Sequence, residues 1–472
     1  MQKVKLILLN LICVFLIAYL AMLTWKQLVV STPFYDNDYK TFYMTLRGKE
    51  DVYRIEKYVR ILKYLPTQTI NHQKKISAQT TPPINAINLN TPTMNIILRS
   101  MVNASNQLSQ NVLLWTIATF IGAAISILLL MQTFLDKKYY YFFPFVFMLC
   151  LSWPSLYNVK LGQLTYFVLP ILCAAFLLMH FKQWRTMTVV LGLLAALKIF
   201  FLIFLLYFIA RKQWRLALLF IISFAVFFFF PLFYFSWKEY HAFFLITQHH
   251  LIFVERAILP MNGSLLGVIA SWVSFLKIQS SVKQISVCAS ILVSYAVVRY
   301  VIYDYRFLRH LPAFSNELSI SFLIVLALIC SPLSWLYYFL FLLIPLVVVF
   351  KITQHYLIPT SYFVFLCAAL VLPFFALVIP DNKMLYIIAH NCLLPSLLYW
   401  ILILFLLARV IMKKQVVSAQ RAHTQNVIFF GIMVSYVALC AVLLSSHYGL
   451  DHFVNLDKKN YLNKVAPVVW LS

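Results

Sequence analysis

The sequence predicts an all-α integral membrane protein of about 13 transmembrane helices, some short or re-entrant, with a large external loop after the first helix. Three observations carry this. Of 472 residues, 63% are hydrophobic and only 11% charged, where a soluble domain is about half apolar and a quarter charged. Apolar runs of membrane-spanning length recur from 6–25 to 426–446. Basic clusters between those runs fall on one side when the spans are threaded in order, as the positive-inside rule requires. Residues 1–472 read as one polytopic domain.

The first span is 6–25, with Lys3 and Lys5 before it. A cleaved signal peptide is the alternative, but no A-x-A site follows, so it reads as a retained helix with a cytoplasmic N-terminus. Residues 26–110 form the large external loop. Within it, 36–65 has helical periodicity: Val52, Ile55, Val59 and Leu62 share one face and Arg54, Lys57, Arg60 and Lys63 another, the pattern of a helix lying on a membrane surface. Residues 66–93 read as a polar loop. Further spans are expected at 112–131, 139–156, 164–181, 216–235, 285–303, 317–333, 336–350, 357–379, 384–410 and 426–446. Lys137/Lys138, Lys182/Arg185, Arg211/Lys212/Arg215, Arg306/Arg309, Lys351 and Lys413/Lys414 then lie on the cytoplasmic side.

Segment 186–210 has basic residues at both ends, yet is about one span long. Two short helices meeting near Lys198, crossing thinly or as a re-entrant hairpin, resolve this. Residues 264–277 are too short to span and read as re-entrant. The non-cytoplasmic segments are then 26–110, 157–163, the tip near Lys198, 236–284, 334–335, 380–383 and 447–472.

Composition excludes several classes. Eight glycines and no G-x-G-x-x-G or Walker A pattern leave no phosphate cradle for a nucleotide. The eight cysteines lie in or beside apolar runs without metal-ligand spacing, so neither disulfides nor zinc are expected. The net charge of +25 is explained by cytoplasmic loops and anionic membrane lipid, not nucleic acid. No cofactor is implied.

Ionisable groups near the membrane are the candidate site residues. Asp36 and Asp38 follow the first span in a chain with only 13 acidic residues. Either could cap the helix that begins there, or act as a general base on an acceptor hydroxyl. Lys198, in "LAALKIFF", is embedded in apolar sequence. Snorkelling is its plain reading; at a hairpin tip it would meet an anionic lipid phosphate. Lys160 lies on the same side, as do the adjacent pair His249 and His250 with Glu255, Arg256 and Asn262. Two acids alone make a poor cage for a hard cation, so no metal is expected.

Six stretches, in order, resemble glycosyltransferase family 87, of the membrane-embedded GT-C fold. They are "NDYKTFYMTLRGKEDVY" (37–53), "NLNTPTMNIIL" (88–98), "NVKLGQLTYFVLPILCAA" (158–175), "LGLLAALKIFFLIFLLYFIARKQWR" (191–215), "MNGSLLG" (261–267) and "CSPLSWLYYFLFLLIP" (330–345). The chain departs from the family's pattern at Thr93, Thr165 and Ile199, and Tyr337 and Tyr338 stand where it has a His pair.

The resemblance implies an inverting transferase on the periplasmic face of a bacterial inner membrane. It would take a sugar such as mannose from a polyprenyl-phosphate carrier and pass it to a lipid or glycan acceptor. Asp38 holds the position of the family's catalytic carboxylate, which leaves Asp36 as cap or support. Lys198 and Arg256, with Lys160, would meet the donor phosphate. Gln163, His249, His250, Asn262, Tyr337 and Tyr338 would line the substrate site. A phosphate leaving group needs no second acid; cations stabilise its charge. The competing readings are a transporter or flippase of lipid-linked saccharides, and an O-antigen-type polymerase or ligase. Transporters often carry internal repeats, and no repeat is evident here.

Overall fold

The computed structural model describes residues 90–103, 108–134, 152–248, 262–275, 282–356 and 393–412, with single positions at 15, 18, 19, 22, 146, 149 and 150. Among them the regular elements are all helical, and an isolated antiparallel β-bridge joins Asn262 to Trp335. Three of these helices, Gln110–Gln132, Trp214–Phe233 and Lys283–His310, are long and apolar enough to cross a membrane. They fall on the predicted spans 112–131, 216–235 and 285–303. Most of 6–25, the surface helix at 36–65, and the spans 357–379 and 426–446 lie outside the described residues.

The chain runs through α1 (Pro92–Asn103), α2 (Leu108–Phe134), α3 (Trp153–Leu161), α4 (Thr165–His180) and α5 (Trp184–Leu197). A 3₁₀ segment (Ile199–Phe204) and α6 (Leu205–Ala210) lead to α7 (Trp214–Phe229), which a second 3₁₀ turn extends to Phe233. Then come α8 (Trp237–Gln248), α9 (Leu265–Phe275), α10 (Val282–Arg306) and α11 (Ser315–Cys330). A third 3₁₀ turn (Leu308–His310) lies between α10 and α11, a fourth (Leu336–Leu342) runs into α12 (Leu343–His355), and α13 is Leu393–Met412.

Burial separates inner from outer helices. In α11 every residue from Leu318 to Ile329 is buried, which makes it a central helix. In α7, Leu218, Ile221, Ile222 and Val226 are exposed apolar residues on one face, as are Leu113, Ile117, Ile121, Ile125 and Leu128 in α2. Such stripes suit lipid, not water. Helix α9, with 11 residues, rises only about 16 Å, in keeping with its expected failure to span.

Two sequence boundaries are corrected. A helix break at Ser152 interrupts the predicted span 139–156. Its Oγ accepts from the Ser155 amide, and Pro154 follows in the first turn of α3, where its missing N–H costs nothing. The expected polar stretch ending at 93 already contains the start of α1. Thr91 caps that helix, its Oγ1 accepting from the Met94 amide at 3.2 Å, with Pro92 as first helical residue.

The 186–210 segment is resolved by register. Two turns carry the same four residues, Lys-Gln-Trp-Arg at 182–185 and at 212–215. Both have the same backbone: Lys182 and Lys212 are left-handed, at φ 58° and 57°. The Gln183 amide donates to Leu178 O at 2.8 Å and that of Lys182 to Met179 O at 3.0 Å. Gln213 and Lys212 repeat this on Phe208 and Ile209 at 2.9 and 3.0 Å. Each is a Schellman closure. This short repeat was missed in the sequence, and it is a turn, not a transporter-like duplication.

From those turns α5 and α7 run side by side, about 30 residues out of step. Gly192 packs on Ser223. At the far end, Thr91 Oγ1 donates to Leu197 O at 3.1 Å and Thr93 Oγ1 to Phe227 O at 3.0 Å. The helices are therefore parallel and start at one level, so residues 199–210 must return to that level before α7 begins. Fourteen α-helical residues rise about 21 Å, and six 3₁₀ plus six α-helical residues descend about 21 Å. The two arms meet at Lys198 as expected, and neither alone matches a core of roughly 30 Å. Helix α7 with its 3₁₀ turn continues about 10 Å past the level of Phe227. The tip is thus recessed relative to the end of α7.

At the opposite end, Arg211 closes the hairpin onto α10 and α11. Its Nε lies 3.3 Å from Oδ2 of fully buried Asp304. Its remaining N–H groups reach Asn316 Oδ1, Ser315 O at 3.1 Å, Ser315 Oγ at 2.9 Å and Ser319 Oγ at 2.8 Å. Ser319 donates to Asp304, and Tyr207 OH to Asn316 Oδ1 at 2.9 Å. The buried carboxylate is both paired and hydrogen-bonded, which offsets the cost of burying it.

Candidate functional site

The end of the bundle that holds Lys198 gathers chain from five separate stretches. Asn90–Thr93 is tied to the ends of α5 and α7 through the two threonine hydroxyls. The α3–α4 corner carries Gln163. Asn262–Ser264 is bonded to the loop 332–335, and that loop feeds the 3₁₀ segment with Tyr337 and Tyr338. The fifth stretch is the hairpin tip. Five of the six stretches that carry the family resemblance therefore contribute to one end; 37–53 is outside the described residues.

Lys198 is half-buried and ends α5 in an extended conformation. A helix C-terminus favours a cation, which is one reason a lysine is tolerated in apolar sequence. Its Nζ donates to Asn90 Oδ1 at 2.9 Å and lies 5.6 Å from the centre of the Tyr338 ring. Both partners are neutral. Among the described residues no carboxylate pairs with it. An ammonium has three donors, so Asn90 occupies one of them.

Beneath Lys198 the aromatic rings form a continuous floor. Tyr338 meets Phe200 at 5.2 Å, Phe341 at 5.9 Å and Tyr337 at 4.5 Å, and Tyr337 stacks on Tyr157 at 6.1 Å. Tyr337 and Tyr338 are both buried. They reach the neighbourhood of Lys198 because the 3₁₀ segment packs on α3 and α11.

Asn262 is buried, and its amide joins two loops. Its Oδ1 accepts from the amides of Ser264 at 3.1 Å and Ser334 at 2.7 Å, and its Nδ2 donates to Pro332 O at 3.3 Å. Ser264 Oγ reinforces the join with a 2.9 Å bond to Pro332 O. The geometry gives Asn262 a scaffold role in shaping the loop before Tyr337. Gln163 is buried, and its backbone N–H donates to Asn158 O at 3.0 Å. Gly162 at φ 63° makes that corner possible.

Lys160 lies in α3, with its side chain outside the described positions. Asp36, Asp38, His249, His250 and Arg256 are outside the described residues altogether. Among the described residues no group of three or more His, Cys, Asp or Glu is placed to hold a metal ion. Asn90 and Tyr157 were missed in the sequence. Asn90 stands just before a Thr-Pro helix start, a signal for a cap but not for a contact with Lys198, more than a hundred residues on.

The family model described as Glycosyltransferase family 87 matches residues 102–332, just under half of the chain. The match bears out the family read from the motifs and indicates a glycosyltransferase; with the apolar helices it marks a membrane protein. Neither a curated protein nor a solved structure matches the chain.

Proposed function

We propose that this membrane glycosyltransferase moves a hexose, mannose or a near relative, from a polyprenyl-phosphate carrier to a lipid or glycan acceptor on the periplasmic face, with inversion. The observation that carries the reading is the seat of Lys198. A half-buried ammonium held by an amide oxygen and an aromatic ring, with no carboxylate partner among the described residues, suits an anion. It lies at the end of the bundle where the resemblance stretches meet, which suits a phosphate held at the membrane while its isoprenoid tail stays in lipid.

In the proposed reaction Asp38 takes the proton from the acceptor hydroxyl as that oxygen attacks the anomeric carbon. The bond from that carbon to the phosphate oxygen breaks, and polyprenyl phosphate leaves as an anion. Lys198, with Arg256 and Lys160, would stabilise the growing charge on the phosphate. Tyr337, Tyr338 and Gln163 would shape the pocket for the sugar, with His249 and His250 as further contacts. Asp36 would cap the helix that bears Asp38.

The test is sugar transfer by the purified protein from polyprenyl-phosphate mannose to membrane lipids. Lys198→Ala should lower the rate roughly 10²–10³-fold, the range for losing one charge-stabilising donor. Transfer at the wild-type rate in Lys198→Ala would falsify the phosphate assignment. An unchanged glycolipid and glycan profile in cells lacking the protein would count against the reaction itself.

A further inference from the structure

We propose that Asn90 is a positioning residue: it holds the Lys198 ammonium in place and, being neutral, leaves the charge uncancelled for a phosphate. The inference rests on reading Lys198 as the phosphate contact.

Asn90 is buried, and its Oδ1 is 2.9 Å from Lys198 Nζ across 108 residues of sequence. The next residue, Thr91, caps α1 and bonds the carbonyl of Leu197, the residue before Lys198. Thr93 fixes the same strand of chain to α7. The chain just after Asn90 is therefore anchored at two points, independently of the bond from the lysine.

The chemistry of the partner matters as much as its place. An aspartate would fill the same volume and form an ion pair, and an opposite charge at this distance would compete directly with a phosphate. The chain does use that alternative elsewhere: Arg211, at the other end of the hairpin, is paired with Asp304. One end of the hairpin thus has its cation neutralised, and the other has its cation held by an uncharged group.

The experiment compares binding of sugar-free polyprenyl phosphate and of neutral polyprenol to the purified full chain in detergent, with thermal unfolding in parallel. Wild type should prefer the phosphate, and Lys198→Met should lose that preference. Asn90→Asp should reduce the preference about tenfold or more, from the competing charge, without a lower melting temperature. A purely structural asparagine would not shift the ratio between the two lipids. Asn90→Ala, which unpins the lysine without adding charge, should reduce it less, by a few-fold. If Asn90→Asp and Asn90→Ala keep the wild-type ratio while Lys198→Met loses it, the inference about Asn90 falls and the phosphate reading stands. If Lys198→Met keeps the ratio, both fall.

Discussion

Gly192 lies against Ser223 so closely that a Cβ on the glycine would stand 2.6 Å from the serine Cβ and 2.9 Å from the Phe224 nitrogen. Backbone atoms cannot yield as a flexible side chain can, so the two helices would have to part. Gly192→Ala should destabilise the protein by about 1–3 kcal/mol, seen as earlier unfolding in detergent. An unchanged unfolding curve would mean that α5 and α7 do not pack at this depth.

The Lys182 turn offers the opposite sign. A lysine in the left-handed region bears a steric penalty that glycine lacks. Lys182→Gly should therefore stabilise the fold by up to about 1 kcal/mol, while Lys182→Ala should not. Because the substitution also removes a positive charge, the alanine variant serves as the control.

Arg211 and Asp304 should behave as a unit. Removing one partner strands a buried charge, and Asp304→Ala or Arg211→Ala should cost about 3–5 kcal/mol. Replacing both with apolar residues, Arg211→Met with Asp304→Leu, should cost clearly less than the sum of the single changes. Additive losses in the unfolding free energies would show that the two side chains are not coupled.

For the proposed base, Asp38→Asn should lower transfer by about 10²–10⁴-fold in a protein that still inserts and folds. Asp36→Asn should retain most of the activity and lose about 0.5–2 kcal/mol of local stability. Equal collapse of both variants with intact folding would overturn the division of roles. Transfer should also persist in EDTA; loss restored by Mn²⁺ would refute the metal-free mechanism.

Much of the helical layout was legible because lipid imposes length and apolarity on each crossing. Helices α2, α7 and α10 therefore fall close to where hydropathy puts them. The hairpin was legible for a different reason. Basic residues at both ends of 186–210 cannot both be satisfied by one crossing. Lys198 stood out as a charge in apolar sequence, but its partner did not. Asn90 stands in a family-like stretch, but nothing in the sequence pairs it with Lys198, and only the folded chain brings it to the tip. Asn262 gained a role that the sequence did not suggest. A polar residue in a motif stretch reads as a ligand contact, whereas its amide joins two loops. The Asp304 network was hidden because α10 and α11 are separate in sequence, and because one acid among apolar residues gives no periodic signal.

The level turns at Lys182 and Lys212 have a further consequence for insertion. A segment that leaves and returns at one level makes no net traverse, so residues 184–210 do not change the parity of the topology. Whatever follows Gln213 faces the side it would face if the chain passed straight from Gln183 into α7. The hairpin can therefore vary in depth, or shift towards and away from lipid, without inverting a single downstream helix. Single cysteines placed at Lys182 and at Lys212 should be labelled from the same side by a membrane-impermeant thiol reagent, whichever side that is.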